Sequence, residues 1–373
     1  MKKIISESKL MTKLYIVVGT VVYTFLSLII PTNDKLILFS SFSGRQFSDS
    51  PRKIYESLIE DDRFNDYRLV WVLNNPTKYS NLDVVKNGSL AYYLTLFRAK
   101  YWIANTSIER LIPVKGKKHV YINTWHGIPF KKLGVDQGNL KLVVLNWYNK
   151  AKFDLLFSCS QYDRDIFKRI FPSAKKIINV DLPRNNYKKI TDKEKHKLQV
   201  KYGIDPKKKT ILYAPTFRDY STAFISNKVI QTLLTLSQNY NILVREHYFS
   251  SFNLPKSIRN VSNINELEEL MDVSDLLISD YSSIIFDYAL QHKPIYLYMY
   301  DRDTYEEVRG FYLKPTDLGL PFATNGNDLV NLIENIETYD MDVIEKICKT
   351  YHSENQSIQI TKIKILSGGK SYV

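Results

Sequence analysis

From Lys35 onward, short runs rich in Val, Ile, Leu and aromatic residues alternate with longer stretches of helical periodicity. This alternation constrains the fold more than any other feature, because strands interleaved with helices form parallel sheets covered on both faces. It predicts strands at Leu36–Phe39, Tyr67–Val72, Tyr101–Asn105, His119–Asn123 and Leu155–Cys159, with helices over Ser50–Ile59, Ser89–Arg98 and Gln161–Ile170. A second series follows, with strands at Thr210–Ala214, Asn241–Arg245, Leu276–Ser279 and Pro294–Tyr298, and helices near Asn227–Ser237, Ile264–Met271 and Ile284–Gln291. A chain of 373 residues, 44% hydrophobic, can bury two cores of ordinary size. The lysine-rich run Asn186–Lys209 holds few large apolar residues and marks the junction, with a basic helix, Lys193–Lys201, opening the second half. The expected architecture is α/β: two doubly wound, Rossmann-like domains, 34–186 and 187–373, facing a cleft, with ligands at the carboxyl ends of the strands.

Residues 1–33 stand apart. Leu14–Asn33 carries no charge, and Lys2, Lys3, Lys9 and Lys13 precede it. A spanning helix needs about 20 apolar residues, and a basic flank held inside would export the bulk of the chain. A helix lying in the membrane interface, anchored by lysines and by Tyr15, Tyr23 and Phe25, is therefore preferred over a spanning or a protein-buried one. The net charge of +13 favours polyanionic partners, either an anionic membrane surface or phosphate-rich substrates. No helix-turn-helix, zinc-finger or aromatic-basic RNA signature is present, so nucleic acid is not an expected partner. Cys159 and Cys348 lie far apart without metal-ligand spacing, which fits a reducing compartment.

Four polar clusters follow predicted strands. In Thr124-Trp125-His126-Gly127-Ile128-Pro129-Phe130, a histidine sits between an indole and a glycine that lets a ligand approach the backbone. His126 taken alone also fits a hydrogen-bonded structural histidine. Ala214-Pro215-Thr216-Phe217-Arg218 supplies a hydroxyl and a guanidinium suited to phosphate oxygens. Arg245 and His247, two apart in extended backbone, share one face; ordinary salt bridging is their alternative. Ser279-Asp280-Tyr281-Ser282-Ser283 runs from a strand into a helix, where both serines can bind an anion or cap the helix. No Walker loop, Gly-x-Gly-x-x-Gly or metal triad occurs, and Asp301-Arg302-Asp303 lacks the surroundings of a metal site. No cofactor and no metal are expected.

In order, these clusters resemble those of the CDP-glycerol glycerophosphotransferases, the teichoic-acid polyol-phosphate transferases. The resemblance runs from about Phe39 to Tyr312. It includes Trp125-His126-Gly127 through Gly134, Tyr213 through Arg218, Ser279 through Ser283, Phe286-Asp287 and Arg309-Gly310-Phe311-Tyr312. It implies a GT-B-like fold with an acceptor-side first domain and a CDP-donor-binding second domain. It also implies transfer of a polyol phosphate, with release of CMP and without metal, from CDP-glycerol or CDP-ribitol. The acceptor would be a prenyl-diphosphate-linked saccharide or a polyol-phosphate polymer at the cytoplasmic face of the membrane. By the same resemblance His126 is the general base, and His247 with Arg245 stabilises charge near the pyrophosphate. Gly127, Pro129, Arg184, Pro215, Thr216, Arg218, Ser282, Ser283 and Asp287 line the donor pocket. Trp125, Lys131, Lys132 and Asp136 are assigned to the acceptor side. Departures occur at Asp181-Leu182-Pro183-Arg184-Asn185-Asn186, which lacks the family's glycine and final acid, and at Tyr248, where proline is common. At Glu354–Gln359 a donor-side arginine is not matched. The competing readings are a GT-B glycosyltransferase using a nucleotide sugar and a catalytically inactive membrane-bound scaffold.

Overall fold

The computed structural model describes residues 8–138, 140–186, 190–216, 218, 227–245 and 254–370. The chain divides into two compact units. The first comprises the residues up to His126, Leu133–Asn186 and everything from His352 onward; the second comprises Gly127–Lys132 and Tyr187–Tyr351.

The first unit opens with helix α1 (Lys9–Ile29) and continues through β1 (Asn33–Ser40), α2 (Asp49–Ile59), β2 (Arg68–Leu73), β3 (Val84–Lys86), α3 (Leu90–Arg98), β4 (Ala99–Ala104), β5 (Val120–Asn123), α4 (Leu142–Lys150), β6 (Leu155–Ser158), α5 (Gln161–Ile170) and β7 (Ile177–Asn179). Its seven strands lie in the order β3-β2-β1-β4-β5-β6-β7, all parallel. Central strands are buried on both faces, as continuous apolar runs such as Leu36–Phe39 require. The chain runs outward from β1 through β2 to β3, then returns to the other side of β1 at β4. The switch point therefore falls between β1 and β4, where open α/β sheets bind ligands.

The second unit holds α6 (Asp192–Tyr202), β8 (Thr210–Tyr213), α7 (Asn227–Ser237), β9 (Asn241–Val244), β10 (Ile258–Asn260), α8 (Leu267–Val273), β11 (Leu276–Ser279), α9 (Ile284–Ala289), β12 (Ile295–Tyr298), α10 (Arg302–Arg309), β13 (Phe322–Ala323), α11 (Gly326–Glu334) and α12 (Asp342–Tyr351). Its parallel sheet has the order β10-β9-β8-β11-β12-β13, with the switch point between β8 and β11. A capping box of Thr191 and Glu194 starts α6, and Gly203 in the left-handed region ends it.

The strands absent from the sequence reading, β3, β7, β10 and β13, are the four sheet edges, of two or three residues each. Segments so short show no period. One boundary needs correction. The C-terminal helix α13 (Ser357–Leu366) belongs to the first unit, not to the second half in which the sequence reading places it. Lys362 Nζ pairs with Asp61 Oδ2 at 2.8 Å, and the Tyr101 hydroxyl donates to the Ile365 carbonyl at 2.8 Å. The segment Gly127–Lys132 also changes sides: the Tyr312 amide donates to the Phe130 carbonyl at 3.0 Å, and Phe130 packs against Phe286 and Phe311.

Beyond Lys9 and Lys13 helix α1 is apolar, with a mean hydropathy of 1.7 over an 18-residue stretch, yet one side docks on the first unit. Tyr23 packs edge-on to Phe97 and Tyr93, and the Tyr15 hydroxyl donates to the Arg110 carbonyl at 3.0 Å. Gly19 sits so close to Ile112 that a Cβ there would lie 2.7 Å from its Cδ1. The remaining faces expose Leu10, Leu14, Val17, Val18, Val21, Phe25 and Leu28.

Candidate active site

In the first unit the polar residues gather at the carboxyl ends of β1, β4 and β5. Three loops there use left-handed backbone. Phe42 (φ 47°) and Ser43 (φ 56°) follow β1, Asp49 (φ 63°) opens α2, and Trp125 (φ 55°) follows β5. Side chains pay for such conformations, and they persist where surrounding contacts impose them. Here Asn105 Oδ1 accepts from the Phe42 amide at 2.8 Å, Thr106 Oγ1 from the Ser43 amide at 2.9 Å, and Asn123 Oδ1 from the Trp125 amide at 2.9 Å.

His126 is held within this frame. Its Nδ1 lies 2.7 Å from the Asn105 carbonyl oxygen. A carbonyl only accepts, so Nδ1 carries the proton, and in the neutral form of the ring the basic nitrogen is then Nε2. The indole of Trp125 lies 4.4 Å from the imidazole at a 32° tilt, and Phe42 meets the ring edge-on at 6.0 Å. Arg184 Nη1 donates to the His126 carbonyl at 3.1 Å and to Asp49 Oδ2 at 2.7 Å. Arg184 thus ties α2 to the His126 backbone. Asn105 and Asp49 escape sequence reasoning: one acts through a main-chain carbonyl that no residue type signals, the other only through its contact with Arg184.

The second unit repeats the placement at its own switch point. Pro215 and Thr216 follow β8, and Asp280 through Ser283 follow β11. Asp280 Oδ1 accepts from the amides of Thr216 (2.8 Å) and Tyr281 (2.6 Å) and so stitches the two loops together. Thr216 Oγ1 is buried and has no hydrogen-bond partner among the described residues. Ser282 Oγ accepts a long bond from the Ile284 amide at 3.4 Å, while Ser283 directly precedes α9; Asp287 is buried within that helix. Arg245, at the end of β9, donates through Nη1 to the Ile264 carbonyl at 2.5 Å. Burial lowers its pKa from the ordinary guanidinium value, opposed by Glu268 and Glu266. His247 lies outside the described residues.

Arg218 corrects the sequence reading, which gives it to the donor phosphates. It is 2% exposed and committed inward: Nη1 meets Asp280 Oδ2 at 2.5 Å, and Nε and Nη2 grip Asp301 at 2.9 and 2.8 Å. The rings of Tyr281, Tyr300 and Tyr305 surround it at 5.3–5.4 Å. Burial works against its charge, but Asp280 and Asp301 outweigh that and hold it above its ordinary range. Arg218 therefore fixes the carboxylate that fixes the Thr216 loop. Asp136 is likewise engaged, accepting two donors of Arg169 at 2.7–3.0 Å. Lys131 bridges to Phe311, and the Lys132 amide donates to the Gly310 carbonyl at 3.3 Å. A Cβ on Gly310 (φ 64°) would meet the Lys132 side chain at 3.0 Å, so glycine permits this approach. Gly127 (φ 138°) and Pro129 belong to the same buried strip. Among the described residues no three His, Cys, Asp or Glu side chains converge in a metal-binding group.

Residues 22–356, which contain all of these clusters, match the family described as CDP-glycerol:poly(glycerophosphate) glycerophosphotransferase. The chain belongs to that family. Its members' chemistry makes it a transferase of glycerol phosphate from CDP-glycerol. The chain is 34% identical over 336 residues to a teichoic acid poly(glycerol phosphate) polymerase of Bacillus spizizenii, covering 82% of this chain and 85% of the relative. It is 32% identical over 347 residues to a teichoic acid glycerol-phosphate transferase of Staphylococcus aureus, covering 84% and 87%. The solved structure of the wall teichoic acid polymerase TagF superposes with a TM-score of 0.82 at 27% identity, over 95% of each chain. The GT-B-like class expected from the sequence is the fold this glycerophosphotransferase has.

Proposed function

We propose that this glycerophosphotransferase transfers glycerol phosphate from CDP-glycerol to a hydroxyl of a lipid-linked teichoic acid acceptor, at the cytoplasmic face of the membrane, releasing CMP. The observation that carries the reading is the 2.7 Å contact between His126 Nδ1 and the Asn105 carbonyl. With Nδ1–H spent on the Asn105 carbonyl, Nε2 can accept a proton from the acceptor hydroxyl. The freed oxygen attacks the phosphorus that bears glycerol. The bond from that phosphorus to the bridging oxygen breaks, and CMP leaves with the electron pair. Arg245 and His247 stabilise charge on the diphosphate, and Thr216 Oγ1, Ser282 and Ser283 contact its oxygens. In-line phosphoryl transfer depends mainly on positioning and charge stabilisation, which side chains of these types supply without a metal. Glycerol is favoured over ribitol because both relatives named above are glycerol-phosphate enzymes.

Helix α1 supports the membrane assignment. A helix that packs Tyr23 and Thr12 on an α/β unit while exposing Leu10, Val17, Val21 and Leu28 suits a place in the interface better than a span.

The test is CMP release by purified protein from CDP-glycerol or CDP-ribitol, with and without acceptor, in EDTA. Acceptor-dependent release from CDP-glycerol, undiminished by EDTA, is expected. Release from CDP-ribitol alone would reassign the polyol, and inhibition by EDTA would overturn metal independence.

A further inference from the structure

Between the first turns of α1 and the start of α4 lies a cavity of about 460 Å³ that no role assigned so far uses. It is lined by the polar side chains of Lys9, Thr12, Lys13 and Lys141 and by Leu140, Leu142 and Leu145. Lys9 and Lys13, four residues apart on α1, project to one side of the helix. Among the described residues none of the three lysines is paired with a carboxylate. Three ammonium groups around one cavity repel one another, an arrangement that an anionic ligand relieves. Leu142 of that lining is itself exposed, and on α1 the exposed Leu10 and Leu14 directly follow Lys9 and Lys13 in the chain. Its lining thus combines three cationic side chains with three leucines.

We propose that this cavity binds the diphosphate of the lipid-linked acceptor, its prenyl chain running along the exposed face of α1. The inference rests on the lipid-linked acceptor proposed above. The charge count selects the ligand. An ordinary anionic phospholipid brings one negative charge, whereas a diphosphate bridging lipid and saccharide brings two, which matches three lysines better. Each lysine near a membrane surface contributes about fivefold in affinity, so neutralising all three costs on the order of 100-fold.

The experiment compares binding of the full chain to phosphatidylcholine vesicles carrying a prenyl diphosphate with binding to vesicles carrying phosphatidylglycerol at matched surface charge. Wild type is expected to prefer the diphosphate vesicles at least about tenfold. Lys9→Gln/Lys13→Gln/Lys141→Gln is expected to lose that preference while releasing CMP normally with a soluble acceptor. Equal binding of wild type to both vesicles, or a preference retained by the variant, overturns the proposal. Should the triple variant fail to fold, the wild-type comparison and Lys141→Gln alone decide the same question. Failure of the lipid-linked acceptor reading is separately visible, as absence of CMP release with that acceptor in wild type.

Discussion

His126 and Arg218 show two ways in which one residue can shape this site. His126 is aimed by a single backbone carbonyl and by the indole beside it. His126→Asn is expected to lower kcat by roughly 10²–10⁴-fold with little change in KM for CDP-glycerol, as measured by steady-state CMP release. Arg218 touches two carboxylates, and its loss would leave the buried Asp280 and the half-buried Asp301 without their cation. Arg218→Met is expected to destabilise the second unit by about 3–5 kcal/mol, read as a fall in the denaturant midpoint. His119 offers a pH handle. Burial, despite the Nδ1–H bond to the Ala99 carbonyl, pushes its pKa down to about 4. The unfolded chain takes up a proton near pH 6.5 that the folded chain refuses until about pH 4, so stability is complete above 6.5 and drains away across that window. The contribution is about 3 kcal/mol. His119→Gln should therefore show a smaller loss of Tm between pH 7 and pH 4 than wild type, whatever its Tm at neutral pH.

Among the elements, α1 has two incompatible faces, and this decides how membrane binding should be probed. Removing the helix would strip Tyr23 from Phe97 and Tyr93, Tyr15 from the Arg110 carbonyl and Gly19 from Ile112, and expose the core of the first unit. Substituting only the outward residues avoids that. Val17→Gln/Val21→Gln/Phe25→Gln is expected to move the protein from the vesicle pellet to the supernatant in a co-sedimentation assay, with Tm unchanged within a few degrees. Buried apolar area supplies most of the affinity of such helices. Retained vesicle binding in this variant would place the anchor on another surface.

For the whole molecule, α13 makes the first unit depend on the last residues of the chain. Its ion pair from Lys362 to Asp61 and the Tyr101 hydroxyl bond join segments about 300 residues apart in sequence. A chain truncated after Tyr351 is expected to lose stability in the first unit while the second keeps its midpoint, as resolved by hydrogen exchange. Simultaneous loss in both units would mean that they unfold as one.

The sequence by itself determined the alternation of strands and helices, and hence two parallel sheets, because apolar runs and helical periods are local properties of the chain. It also located the clusters at Trp125–Lys132, Pro215–Thr216 and Asp280–Ser283, since each directly follows a strand that its own residues specify. Only the tertiary structure decided which groups those clusters would meet. Asn105 aims His126 through a carbonyl, and Arg184 joins it to Asp49 across more than 130 residues. Arg218, polar and beside a motif, reads from sequence as a ligand contact, yet Asp280 and Asp301 draw it into the core. Short edge strands and the return of α13 were illegible for the same reason: their stability comes from partners distant in sequence, and local pattern carries no record of those partners.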